Sequence, residues 1–200
     1  MIKAIIFDVG GVLLRTEDLS SREKWAKRYG MDVWDFASAV FDSDEANRAT
    51  VGLATEGEAW LAAQQRFNVP QAEMDQFRKD FFAGDRWDES LLGWIISLRS
   101  RYRTAILSNA WGGARKFFAG QAKVMAAFEQ LIISAEEGVR KPQDEIYQRA
   151  VQRLSVLPHE AVFVDDVLEN VEAAKRVGLE AIHFRVGVDV RERLKGLDVF

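Results

Sequence analysis

Ile5-Ile6-Phe7-Asp8-Val9-Gly10-Gly11-Val12-Leu13-Leu14 is the stretch on which the reading of this chain turns. The apolar run from Ala4 to Phe7 delivers one carboxylate, Asp8, and then breaks at two glycines. A continuous apolar run bounded by a turn signal reads as a strand buried on both faces. An aspartate at the C-terminal end of such a strand lies where open α/β sheets place their ligands. The same residues also suit a plain turn, because Asp ahead of Gly-Gly is common turn chemistry. The rest of the chain decides between the two.

Downstream, the pattern has two regimes. Residues 15–87 read as helical and aromatic-rich, without a strand. Ser20 or Ser21 is the expected N-cap of a first helix that Gly30 stops. Val33 to Phe41 has helical period and ends in the polar Asp42-Ser43-Asp44. Thr55 and Glu58 have the form of a capping box, and a further helix spans Gln71 to Phe82. From residue 88 onward, helices alternate with short buried strands. Thr104 to Leu107 ends in Ser108-Asn109, Leu131 to Ile133 ends at Ser134, and Ala161 to Val164 ends in Asp165-Asp166. Glu180 to Phe184 is a fifth strand, Pro142 is expected to start a helix, and Val190 to Leu197 is a last one. This alternation predicts a three-layer α/β/α, Rossmann-like parallel sheet. A direct crossover between parallel strands needs only about one helix. The long segment after the first strand therefore reads as a helical cap, residues 15–87, inserted into a core of 1–14 and 88–200.

Composition narrows the function classes. The 200 residues carry a formal net charge of −4, no cysteine and two histidines, His159 and His183. No charge argument favours nucleic acid or an anionic membrane surface. Disulfides, thiolate metal sites and a cysteine nucleophile are absent, and a histidine-rich zinc site is disfavoured. No apolar stretch approaches the roughly 20 residues of a membrane span. Asp8 also interrupts the only apolar run that might serve as a signal peptide. The expectation is a cytoplasmic protein; its oligomeric state is not readable.

In a parallel sheet the strand ends share one edge, so Asp8, Ser108-Asn109, Ser134 and Asp165-Asp166 converge there, joined by a loop lysine, Lys141. Each has a bland reading as a cap or a solvated loop charge. Caps alone account poorly for all of them in this order.

Four segments carry a resemblance. Phe7-Asp8-Val9-Gly10-Gly11-Val12-Leu13, Ile106-Leu107-Ser108-Asn109, Gly138-Val139-Arg140-Lys141-Pro142 and Phe163-Val164-Asp165-Asp166 with Asn170 and Gly178 resemble, in order, the four motifs of the haloacid-dehalogenase-like superfamily. The paired aspartates are similar to those of the phosphatase-like N-terminal domain of soluble epoxide hydrolases. The resemblance implies a Mg²⁺-dependent phosphatase acting on a small phosphorylated molecule, with Asp8 as nucleophile and an aspartyl-phosphate intermediate. It implies Mg²⁺ on the Asp8 carboxylate, the Gly10 carbonyl and the Asp166 carboxylate, with Asp165 and Asn170 in support or in water-mediated contact. Ser108 and the Asn109 backbone N–H would hold the phosphoryl oxygens. Lys141 would neutralise charge on nucleophile and phosphate.

One position departs from that pattern. The superfamily's phosphatases carry a second Asp two residues after the nucleophile, as general acid and base; here it is Gly10. General acid–base help is worth ~10²–10⁴ in rate. Arg15, Thr16, Glu17 and Asp18 follow in the flap and are the nearest candidates to replace it. The leading reading is thus a phosphatase favouring esters whose leaving group needs little protonation. The second is a weakly active or inactive relative that binds a phosphorylated ligand or a protein partner. The third is a 2-haloacid dehalogenase, for which Arg15 would be the cap arginine. Trp111, close after Asn109, is expected to line the substrate entrance, and His159 and His183 to be structural.

Overall fold

The computed structural model describes residues 1–185 and 187–199; Val186 and Phe200, both in the expected core segment, lie outside the described residues. From the N-terminus, β1 (Ala4–Phe7) and β2 (Leu14–Thr16) precede five helices: α1 (Ser20–Arg28), α2 (Val33–Phe41), α3 (Asp44–Thr50), α4 (Glu56–Arg66) and α5 (Met74–Phe82). Then come β3 (Asp85–Trp87), α6 (Glu89–Leu98), β4 (Arg103–Ser108), α7 (Ala114–Ala119), α8 (Ala122–Ala127), β5 (Gln130–Ile133) and α9 (Ser134–Glu137). The chain continues through α10 (Asp144–Arg153), β6 (Ala161–Asp165), α11 (Leu168–Val177), β7 (Glu180–His183) and α12 (Val190–Lys195). None of these helices is long and apolar enough to cross a membrane.

Five strands form one parallel sheet in the order β5-β4-β1-β6-β7, with β1 at its centre. Successive side chains on a strand point to opposite faces, and β1 uses both. Ile5 and Phe7 pack with Leu92 and Ile95 of α6 and with Val124 of α8. Ala4 and Ile6 pack on the other face with Ile146 and Tyr147 of α10 and Ala173 and Ala174 of α11. Every residue of β1 is fully buried. This is why the run shows no polar alternation.

The helices between β2 and β3 have an apolar core of their own, built from Trp25, Phe36, Trp60, Phe67, Phe77 and Phe81. Its rings meet edge-on or tilted, as in Trp25–Phe77 at 4.9 Å and Phe36–Phe67 at 5.0 Å, the arrangements that aromatic quadrupoles favour.

Several local expectations are corrected. Residues 15–87 are not all helical: β2 and β3 pair antiparallel, Leu14 with Trp87 and Thr16 with Asp85. Each strand is three residues long, too short for periodicity to register, and is defined by a partner some seventy positions away. Asp42-Ser43-Asp44 does end the Val33–Phe41 helix, and it also opens an unexpected one, α3, because the Ser43 hydroxyl caps the Ala46 N–H at 3.0 Å. The first helix starts at Ser20 itself, its N–H taken by Asp18 Oδ1 at 2.9 Å. Pro142 starts no helix; α10 begins at Asp144. The preceding loop is held instead by side chains, Gln143 on the Arg140 N–H and Asn109 on Lys141.

Candidate active site

The register of the sheet assembles the site. Phe7 pairs with Ile106 on one side and Val164 on the other. One residue further, Asp8 stands level with Asp165, and its N–H donates to the Val164 carbonyl at 2.9 Å. Ser108 ends β4 on the opposite side, also buried. The backbone then turns sharply: the Val9 carbonyl accepts from Leu13 and Leu14 at 2.9 and 2.8 Å. Gly11 makes the turn with φ +74°, and a Cβ there would stand 2.0 Å from Asp166 Oδ2. Only glycine combines that φ with that proximity. Around Gly10, by contrast, a Cβ would meet nothing within 4 Å.

Lys141 is only 3 % exposed. Its Nζ lies 2.7 Å from Asp8 Oδ1 and 2.7 Å from Asp165 Oδ2, and 5.4 Å from the Phe163 ring centroid. Its main chain is clamped by the Asn109 amide, which donates to the Lys141 carbonyl and accepts from the Lys141 N–H, both at 2.9 Å. Asp165 is full. Oδ1 accepts from the Val167 N–H at 2.7 Å, Oδ2 accepts from Lys141, and Asn170 Nδ2 lies 3.1 Å from each oxygen. A carboxylate offers about four acceptor positions, so Asp165 has little left for another ligand. Tyr147, fully buried, donates to the Asn170 carbonyl at 2.9 Å and fixes that end of the network.

Burial pushes the Asp8 carboxyl up to about 6; Lys141 pulls it down and Asp165 pushes it up. Burial alone would lower the Lys141 ammonium, but Asp8 and Asp165 outweigh it and its pKa is raised. Asp166 is likewise raised, by partial burial and then by Asp165. Oxygens of Asp8, Asp165 and Asp166 lie within 4.8 Å of one another. Three carboxylates against one ammonium leave two uncompensated negative charges when all are ionised.

The structure thus brings Asp8, Lys141, Asp165, Asp166 and Asn170 into one cluster, with Ser108 and Asn109 on the adjoining strand end. Two contacts were not part of the expectation. Asp165 binds Lys141 directly. Asn109 uses its side chain to hold the Lys141 loop, a role its expected backbone contact did not include. Ser134, buried, accepts from the Ala110 N–H at 3.0 Å and ties the β5 end to the β4 loop. Trp111 does not line an entrance: it is buried, donates from Nε1 to the Ala46 carbonyl at 3.1 Å, and packs on Trp60 and Phe41. His183 has a ring nitrogen 2.9 Å from the Asp166 carbonyl oxygen. Tyr147 went unnoticed in the sequence because a tyrosine at a helical core position carries no signal of its partner.

Comparison with known proteins bears on this cluster. The profile of the haloacid dehalogenase-like hydrolases matches residues 2–178. The chain belongs to this family. A D-ribitol-5-phosphate phosphatase of Bacteroides thetaiotaomicron is 26 % identical over 206 aligned residues, covering 97 % of each chain. Among solved structures, a HAD family enzyme of the same organism in complex with magnesium and inorganic phosphate superposes with a TM-score of 0.79 at 23 % identity. That match covers 96 % of this chain and 99 % of the other. A 2-haloacid dehalogenase of Pseudomonas syringae gives a TM-score of 0.61 at 18 % identity, covering 95 % and 89 %. At these identities the structural likeness speaks for the fold alone.

Proposed function

We propose that this chain is a phosphoric monoester hydrolase that transfers the phosphoryl group of a small phosphorylated molecule to Asp8. The observation that carries the reading is Lys141, buried and bridging Asp8 and Asp165 at 2.7 Å each, beside the Asp166 carboxylate. In the first step an Asp8 oxygen bonds to phosphorus while the bond from phosphorus to the ester oxygen breaks, and the leaving group departs as an oxyanion that takes its proton from solvent. Water then attacks phosphorus, releasing inorganic phosphate and restoring the carboxylate. Ser108 and the Asn109 N–H would hold phosphoryl oxygens, and Lys141 would balance their charge.

The donor set fits Mg²⁺. Hard oxygens on Asp8, Asp166 and the Gly10 carbonyl suit it, the two uncompensated negative charges match it, and the missing Cβ at Gly11 leaves the Asp166 carboxylate its room. Asp165, saturated by Lys141, Asn170 and Val167, would support and not ligate. When bound, Mg²⁺ offsets the repulsion between the attacking carboxylate and the phosphate dianion.

Gly10 supplies no proton to the departing oxygen. Three flap residues are engaged elsewhere: Arg15 with Asp88 at 2.9 Å, Thr16 with Asp85 at 2.6 Å, and Asp18 with the Ser20 N–H. The reading is therefore a phosphatase selective for leaving groups that depart as weak bases. An activated aryl phosphate should be turned over with Mg²⁺, and chelator or Asp8→Asn should abolish it; turnover indifferent to both would sink the proposal. The same glycine supports the second reading, a protein that binds a phosphorylated ligand without hydrolysing it. That reading expects phosphate binding and no turnover of any ester. Arg15, held by Asp88 and the Val12 carbonyl, gives the dehalogenase reading no support.

A further inference from the structure

α3 is where the helical insert meets the loops that carry the candidate site, and it meets three of them. The Ala46 carbonyl accepts from Trp111, three residues after Ser108. Asn47 Oδ1 accepts from Arg140 at 2.7 Å, and Arg140 immediately precedes Lys141. Just past α3, Gly52 comes so near α9, in the connection after β5, that a Cβ there would stand 2.2 Å from the Ala135 carbonyl oxygen, one residue after Ser134. These loops are also tied to each other, by Asn109 on Lys141 and Ser134 on Ala110.

We infer that α3 is a positioning element for Lys141 and Ser108-Asn109, acting chiefly through the Asn47–Arg140 hydrogen bond. The role rests on the phosphatase reading for what those loops hold. The segment from Gly138 to Gln143 has no helix or strand hydrogen bonds to define it. Its conformation rests on the Arg140–Gln143 backbone turn and on side-chain ties: Lys141 to Asp8 and Asp165, Asn109 to Lys141, Gln143 to the Arg140 N–H, and Asn47 to the Arg140 guanidinium. Only the last comes from the insert. The half-buried pair also borders a cleft of about 760 Å³, lined further by Asp44, Glu45, Arg48 and Gln143. Little packing stands in for the bond if it is lost. A 1 Å displacement of a catalytic group can cost on the order of 10²-fold in rate, so a tie one residue from Lys141 acts on chemistry beyond its own bond strength. Seating the insert and completing the phosphate-binding loops become one event.

The test compares wild type, Asn47→Ala, Asn47→Asp, Arg140→Ala and the double alanine variant. Readouts are kcat and KM on an activated aryl phosphate with Mg²⁺, calorimetric affinity for inorganic phosphate, and Tm. Asn47→Ala should lower kcat about tenfold or more and weaken inorganic phosphate in parallel. Asn47→Asp, which keeps the acceptor oxygen, should restore most of both, and the double variant should be no worse than the poorer single one. A lowered Tm with kcat and phosphate affinity within twofold of wild type overturns the inference, as does an Asn47→Asp variant no better than alanine. If Asn47→Ala does not fold, Trp111→Phe, which keeps the ring and loses the N–H donor, carries the test. A threefold or greater fall in kcat is expected there, and an unchanged kcat overturns the inference. A wild type that binds inorganic phosphate without turning over ester sinks the phosphatase reading, and phosphate affinity then judges α3 alone. A wild type that does neither overturns both.

Discussion

On one flank of Asp8, Lys141 and Asp165 are buried, and both Asp165 oxygens are engaged by Lys141, Val167 and Asn170. On the other flank, Gly10 is exposed, and no atom lies within 4 Å of where a Cβ would stand. Gly10 follows Asp8 by two residues on the turn after β1, whereas Lys141 and Asp165 are brought in by a distant loop and by β6. The first flank is a device for managing charge, in which both Asp165 oxygens are taken and the Lys141 ammonium bridges two carboxylates. The second is empty space where an acid could manage protons. The contrast teaches that compensating charge and moving protons are separable demands on such a site, placed on different residues.

The most severe way to break the contrast is Asp8→Asn, which should reduce Mg²⁺-dependent turnover of an aryl phosphate by about 10⁴-fold or more. Residual activity close to wild type would place the nucleophile elsewhere. The Gly10 flank is probed by Gly10→Asp, for which the structure leaves room. The rate on alkyl phosphates should rise, up to the ~10²–10⁴ that acid–base help provides, with little change on aryl phosphates. A plot of log kcat/KM against leaving-group pKa should be steep for wild type and shallower for the variant. Equal slopes would mean that the acid is supplied by another residue, Glu17 being the flap residue to replace next.

The charge flank is probed through stability. Lys141→Met leaves Asp8 and Asp165 facing each other without a cation, which should destabilise the fold by about 3 kcal/mol at pH 7. Lys141 is the group that pulls the Asp8 carboxyl down against its burial, so without the ammonium Asp8 is held higher still. The deficit should therefore be full at neutral pH and fade as pH falls toward 4, as denaturant titrations at several pH values would read. The smallest effect has the opposite sign. Asp8 is raised from 3.8 to about 6 on folding, so its contribution is favourable below about pH 4 and is lost as pH rises through 6. In chelator at pH 7, Asp8→Asn should then be more stable than wild type by about 1–3 kcal/mol. The corresponding rise in Tm is about 2–4 °C per kcal/mol for a chain of this size. A lower Tm would mean that the carboxylate is stabilised, not strained, by its surroundings.

Much of this was legible because the relevant signals are local. β1 is an unbroken apolar run ending in Asp8, β6 is another ending in Asp165-Asp166, and strand ends in a parallel sheet must share an edge. What escaped is non-local. The pairing of β2 with β3, the Asn109 side chain on the Lys141 backbone, and Tyr147 on Asn170 each join residues 23 or more positions apart through groups with many possible partners. α3 escaped for a different reason: Ser43 flanked by two aspartates reads equally as a loop or as a cap, and only the Ala46 N–H decides. Trp111 has the composition of an entrance residue and the surroundings of a core one.

The central place of β1 has a consequence for how the molecule is made. Its neighbours are β4 and β6, paired at Ile106 and Val164, so the first strand synthesised is among the last to be enclosed. At about 5–20 residues per second on a ribosome, Phe7 waits roughly 10–30 s for Val164 to be translated. Until β4 is made, Ile5, Ile6 and Phe7 have no sheet partner on either side, and the β6 side stays open until Val164 follows, the kind of edge on which nascent chains aggregate. The arrangement that buries Asp8 so thoroughly in the finished protein also makes its strand the part of the growing chain most dependent on chaperone cover.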